Sequence, residues 1–105
     1  MTTFTDIKTI LDNAVNNASS IGVHGAFWRN VSRNQFVEMD IFGCQIIASD
    51  VNGNFTGAES PLVKILRGDI NCGGNDFPQM PFGFKPVSEE NIQLISDWID
   101  AQCPE

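Results

Sequence analysis

The spacing of apolar residues near the N-terminus predicts an amphipathic helix. Apolar positions recur there every three or four residues, which is the period of one helix face, so we expect a helix over residues 4–16. Either Thr3 or Thr5 can cap its start, since both hydroxyls suit that position. The Asn16-Asn17 pair can end it.

A second, shorter helix is predicted over residues 60–67. Ser60 is a favoured N-cap residue, and Pro61 suits the first helical position, where no backbone N–H is needed. Gly68 is placed to close this helix, because glycine readily adopts the left-handed conformation that ends helices.

The last helix is predicted over residues 89–101, with Ser88 before it and Pro104 as its stop. Acidic residues in its first turn interact favourably with the helix dipole. The apolar positions predicted to form its buried stripe, with Leu94 beside them, are Ile92, Ile95, Trp98 and Ile99.

The stretches between these helices carry weaker patterns. Partial alternation of apolar and polar residues over 35–48 favours a strand pair around Gly43, and Asn52-Gly53 is a strong turn sequence. Residues 69–87 are rich in Gly, Pro and Phe, so we expect a long loop without regular structure whose aromatic side chains wrap something.

Length and charge narrow the class of protein. The chain has 105 residues, which suits a single domain spanning 1–105, and 42% of them are hydrophobic, as in a globular protein. A formal net charge of −7 repels phosphate backbones and anionic lipids, so we expect no nucleic-acid partner and no membrane insertion. The N-terminus lacks the features of a signal peptide. The protein is therefore expected to be cytoplasmic, or exported with its leader removed.

Candidate chemistry is sparse. The single histidine, His24, and three scattered cysteines do not match the ligand spacing of a zinc site, so no metal is expected. No nucleophile elbow, phosphate-binding glycine loop or metalloprotease motif is present. We therefore predict a protein that is not an enzyme and has no catalytic residues.

The order of these features resembles a small class I cytochrome c domain over nearly the whole chain. In that family a histidine of a C-x-x-C-H motif after the first helix is one axial haem ligand, and a methionine of an M-P-x-G loop is the other. His24 and Met80 of the sequence Gln-Met-Pro-Phe-Gly occupy these two positions. The resemblance implies a mostly α fold, a cytochrome c-like bundle of three main helices with long loops and a short β-hairpin.

The motif's two cysteines are replaced by Ser20 and Val23, which excludes covalent haem attachment. We therefore expect no resident cofactor and a haem space filled by aromatic side chains. The candidates to fill it are Phe27, Trp28, Phe36, Phe42, Phe55, Phe77, Phe82 and Phe84.

The resemblance also implies a disulfide between Cys44 and Cys72, a pair found in some relatives, if the compartment is oxidising. In a reducing compartment the alternative is three thiols, with Cys44 a small apolar core residue.

Two functions follow from this pattern. The first is a haem-less, cytochrome c-like interaction module that binds a protein partner through its acidic surface. The alternative is an electron-transfer protein with a non-covalent haem held by His24 and Met80.

Overall fold

The computed structural model describes residues 2–15, 27–41, 44–68, 71–72, 75–76 and 86–105, with the backbone alone for 41, 71–72 and 75–76. Within these ranges the chain forms four helices and three two-stranded antiparallel sheets. The helices are α1 (Phe4–Ala14), α2 (Arg33–Glu38), α3 (Pro61–Arg67) and α4 (Glu89–Asp100). The strands are β1 (Asp40–Ile41), β2 (Cys44–Gln45), β3 (Ala48–Ser49), β4 (Phe55–Thr56), β5 (Asn71–Cys72) and β6 (Asn75–Asp76).

Helix α1 begins with a capping box. The Thr3 hydroxyl accepts a hydrogen bond from the Asp6 N–H at 3.3 Å, and the Asp6 carboxylate accepts one from the Thr3 N–H at 2.9 Å. Of the two threonines considered, Thr3 is therefore the cap. The predicted stop at Asn16-Asn17 lies outside the described residues, and the described helix ends at Ala14.

Helix α3 lies where the Ser-Pro pair predicts it, and Gly68 closes it with a φ of 80°. Contrary to the expected capping role, the Ser60 side chain makes no capping hydrogen bond to α3. It accepts from the Ala48 N–H at 2.9 Å and donates to the Thr56 carbonyl at 2.8 Å. This fully buried side chain thus joins both strands of the β3–β4 hairpin to the start of α3.

Helix α4 is capped by Ser88, whose hydroxyl accepts from the Asn91 N–H at 3.2 Å. After the helix, Gln102 and Cys103 adopt positive φ angles of 74° and 56° and turn the chain back. The Pro104 carbonyl then accepts hydrogen bonds from the Phe4 N–H at 3.0 Å and the Trp98 indole at 2.7 Å. This turn ties the C-terminus to both α1 and α4.

Helix α2 is a departure from the prediction of a strand. The Ser32 hydroxyl accepts from the Gln35 N–H, and the Gln35 side chain accepts from the Ser32 N–H. This capping box starts a helix, so Phe36 and Val37 lie on its buried side.

The predicted strand pair around Gly43 is confirmed, since β1 and β2 pair with Ile41 opposite Cys44. The Asn52-Gly53 turn is also confirmed, because it joins β3 to β4 and Gly53 has a φ of 82°. The segment predicted to lack regular structure contains the β5–β6 hairpin, which was not expected.

The expected fold class is therefore wrong. The chain is a mixed helix-and-strand globule, not a mostly α, cytochrome c-like bundle of three main helices. Three helices lie where they were predicted, but α2 and the hairpins give the fold a different architecture. Their short strands depend on pairing between segments, which helical periodicity does not show.

The core joins all four helices to the segment between β2 and β3. Ile7 and Leu11 of α1 and Ile95 and Trp98 of α4 are all buried in it. Phe4 of α1 stacks on Trp98 of α4 with 6.0 Å between ring centroids. Among the described residues no helix has the length and apolar composition needed to cross a bilayer.

Candidate functional site

The two residues expected to ligate haem, His24 and Met80, lie outside the described residues, as do Ser20 and Val23. Of the aromatic residues expected to fill a haem space, Trp28 and Phe36 are buried, and Phe27 and Phe55 are half-buried. The remaining four lie outside the described residues: Phe42, Phe77, Phe82 and Phe84.

A cleft of about 400 Å³ lies between α1 and the start of α4. The described residues that line it are Ile10, Asn13, Ala14, Pro86, Val87, Ser88 and Asn91, none of which is ionisable. The Ser88 hydroxyl is already engaged in capping α4. The described part of this cleft therefore offers no acid, base or activated nucleophile for catalysis.

Cys103 has a free thiol that is fully buried. Burial raises the pKa of this thiol to about 11, although the nearby Arg33 opposes the shift, so the thiol is protonated near neutral pH. It is not a reactive nucleophile.

The expected Cys44–Cys72 pairing falls partly outside the description, because the side chain of Cys72 is not described. Of the described cysteines, Cys103 is a free thiol, whereas Cys44 is disulfide-bonded. The described residues also contain no group of three or more His, Cys, Asp or Glu that could hold a metal ion.

The described basic side chains are largely neutralised within the fold. Three of them form ion pairs, which are Arg29–Asp12 at 2.7 Å, Lys64–Glu59 at 3.5 Å and Arg67–Glu89 at 2.7 Å. Arg33 donates to the carbonyls of Cys103 and Gln102 at 2.8 and 2.9 Å. The net negative charge therefore resides in acidic side chains that no described base compensates.

Asp12 shows how one of these ion pairs supports the fold. Its Oδ1 accepts from the Trp28 indole and the Arg29 guanidinium, both at 2.7 Å. Burial alone raises the pKa of this carboxyl, but the hydrogen bonds and the charges of Arg29 and Lys8 outweigh it and lower the pKa below 3.8. Asp12 therefore holds α1 against residues 27–30 and is not a free acid.

Helix α4 concentrates the uncompensated charge. It carries Glu89, Glu90, Asp97 and Asp100 and no basic residue. Two of these acids have partners in the fold, since Glu89 pairs with Arg67 and the Asp100 carboxylate accepts from the Gly57 N–H at 2.7 Å.

The other two acids flank an exposed leucine. Glu90, Leu94 and Asp97 are four and three residues apart, which places them on one side of the helix, and all three are exposed. Leu94 is 43% exposed. We refer to these three residues as the acidic face of α4.

Asp97 is placed unfavourably for the helix itself. It lies in the last turn of α4, where the partial negative charge of the helix dipole disfavours an anion by about 0.3–1 kcal/mol. Its only described partner is the Gln93 side-chain amide, which donates to it at 2.8 Å on the surface. No basic side chain of the described residues forms an ion pair with this acid.

The sequence places Leu94 beside the buried stripe of the last helix, and the structure shows that it is 43% exposed there. The signal was present, because the residues one helical turn before and after it, Glu90 and Asp97, are both acidic. A leucine between two acids on one helix side belongs to the polar side.

No family model, curated protein or solved structure matches this chain. The resemblance to cytochromes c therefore has no support beyond the residues that suggested it, and the mixed fold does not support it either.

Proposed function

We propose that the protein is a non-enzymatic interaction module that binds a basic segment of a protein partner on the acidic face of α4. The observation that carries this proposal is an exposed leucine between two acids, on a helix without a basic residue. The occupant that fits is a segment that places an apolar side chain between lysine or arginine residues.

The net charge of the protein favours a basic partner and also affects the rate at which that partner associates. A net charge of −7 on 105 residues attracts basic proteins over a distance of about one Debye length, ~8 Å at physiological ionic strength. Complementary charge mainly accelerates association and excludes acidic partners.

Leu94 adds the contact that charge alone does not supply. Burying an apolar side chain removes hydrocarbon from water, and fully burying a leucine contributes about 1.5–3 kcal/mol. Because 43% of Leu94 is exposed, part of this gain remains available to a partner. A polyanion without an apolar contact would bind any polycation equally well.

The test uses a designed helical peptide in which one leucine is flanked by lysines at i−4 and i+3. Its affinity is measured by calorimetry for the wild type, for Glu90→Gln/Asp97→Asn and for the matched control Glu38→Gln/Asp40→Asn. The control removes the same charge from exposed positions that form no ion pair with a described residue.

The proposal predicts about a tenfold loss of affinity for the α4 variant, because each exposed charge pair contributes up to about 1 kcal/mol. The control should bind nearly as well as the wild type. Equal losses in both variants would contradict the proposal, since they would mean that only net charge matters.

Haem binding provides a second discriminating observation. Titration of haemin into the protein is expected to give no saturable change in the Soret region. Saturable one-to-one binding that is lost in both His24→Ala and Met80→Ala would contradict the module and favour electron transfer.

A further inference from the structure

The tip of the β3–β4 hairpin is separated from the rest of the described molecule. Residues 50–54 are all exposed, and Val51 at the tip is completely exposed. A Cβ placed on Gly53 would meet nothing within 4 Å. No hydrogen bond from the described residues holds the Asn52 side-chain amide.

Among the described residues, the hydrogen bonds that shape this tip all come from within it. Gly53 N–H donates to the Asp50 carbonyl at 3.0 Å, and Asp50 N–H donates to the Asn54 carbonyl at 2.8 Å. The Asp50 carboxylate accepts from the Asn52 and Asn54 N–H groups at 2.8 and 3.0 Å. Such a turn can open locally without disturbing the core.

We propose that Asn52-Gly53 is a site of spontaneous deamidation and isomerisation, and that this modification opens the β3–β4 hairpin. When the turn opens, the Gly53 amide nitrogen loses its proton to solvent and attacks the side-chain carbonyl carbon of Asn52. A new C–N bond closes a five-membered succinimide, and ammonia leaves with a proton taken from water. Water then opens the ring at either carbonyl and yields aspartate or isoaspartate.

Asn52 is the candidate among the ten asparagines of the chain because it is the only one followed by glycine. A side chain on the following residue would hinder the attacking nitrogen, and Gly53 has none. Asn54 is the natural control in the same loop. It precedes Phe55, whose N–H is held by the Gln102 side chain at 2.9 Å.

Isoaspartate formation changes the turn in two ways. It inserts a methylene group into the backbone between Asp50 and Asn54, and it places a new carboxylate near that of Asp50. Both changes oppose the paired hydrogen bonds that close the turn. The β4 end remains held by Gln102, whose side chain also donates to the Phe55 carbonyl at 3.1 Å.

The test incubates the purified protein and detects isoaspartate by transfer of a labelled methyl group from S-adenosylmethionine, using a protein isoaspartyl methyltransferase. Peptide mapping locates the label. We expect it in the peptide carrying residue 52, at a rate that rises with pH because the attacking amide must lose its proton. The label should be lost in Asn52→Gln and retained in Asn54→Gln.

Opening the turn should accelerate the reaction. Asp50→Ala removes the carboxylate that holds two backbone N–H groups of the turn, so we expect labelling to be several-fold faster. In the aged wild-type protein, hydrogen exchange at Asp50 and Asn54 should be faster than in fresh protein. Absence of label at residue 52, equal label at residue 54, or unchanged exchange after modification would overturn the proposal.

Discussion

The side chain of Trp98 lies at the contact between α1 and α4, the two longest of the described helices. Its side chain is 1% exposed, and its ring lies 6.0 Å from that of Phe4 and 6.1 Å from that of Phe36. Its indole N–H is satisfied by the Pro104 carbonyl at 2.7 Å. One side chain thus joins α1, α2, α4 and the C-terminal turn.

Replacing Trp98 with alanine should therefore lower the free energy of unfolding by about 3–5 kcal/mol, through lost apolar contact and the cavity left behind. Urea unfolding measures this change. The matched control is Leu94→Ala in the same helix, which should change stability by no more than about 0.5 kcal/mol because Leu94 is exposed. Similar losses for the two variants would contradict the described burial.

Asp12 predicts a pH dependence of stability. Its pKa in the folded protein is lower than the ordinary 3.8, so the unfolded chain binds the proton more readily. The stability that Asp12 contributes is therefore fully present above pH 3.8 and is lost as the pH falls through the lowered value.

Urea unfolding at a series of pH values checks this sign with Asp12→Asn. The variant should be less stable than the wild type at neutral pH, and the difference should close in acid. A difference that stays constant or widens in acid would mean that Asp12 does not act through its charge.

At the scale of elements, local sequence patterns located three helices well. The Ser-Pro start and glycine stop of α3 predict its ends to within one residue, and Ser88 marks the start of α4. These signals involve only neighbouring residues, which is why the sequence alone suffices. The third helix prediction, for α1, matches its start and extends two residues beyond its described end.

Helix α2 and the β5–β6 hairpin could not be predicted in the same way. A six-residue helix offers fewer than two turns of apolar periodicity, so Phe36 and Val37 fit a strand pattern equally well. The two-residue strands β5 and β6 carry no alternation to detect. The Ser32–Gln35 capping box was the one available signal for α2.

Gly57 shows how closely the β3–β4 hairpin packs on α4. It is buried, and a Cβ at this position would overlap the carbonyl oxygen and hydroxyl of Ser96. We expect Gly57→Ala to cost about 1–3 kcal/mol in the free energy of unfolding, since the backbone of α4 must shift.

Gly53→Ala is the matched comparison in the same hairpin. Open space surrounds Gly53, so its cost comes only from the positive φ of 82° and is about 1–2 kcal/mol. Both variants are measured by urea unfolding. Only Gly57→Ala should also accelerate hydrogen exchange around Ser96, and unchanged exchange there would contradict the described close contact.

At the scale of the whole molecule, composition predicted the sign of the surface charge but not its location. The location of the negative charge depends on which basic side chains form ion pairs within the fold. Arg29, for example, is paired with Asp12. The structure of α4 shows that Leu94 is exposed beside Glu90 and Asp97, which is why it can be assigned to a docking surface.

The most direct test of the proposed docking surface maps where a basic partner binds. An isotope-labelled sample is titrated with the lysine-flanked leucine peptide, and amide chemical shifts are followed at low and physiological ionic strength. We expect shifts centred on Glu90, Leu94 and Asp97, with affinity that falls as salt screens the charges. These shifts should be lost in Leu94→Ser. Shifts spread over all exposed acids, including Glu38 and Asp40, or unchanged in Leu94→Ser, would contradict docking on the acidic face of α4.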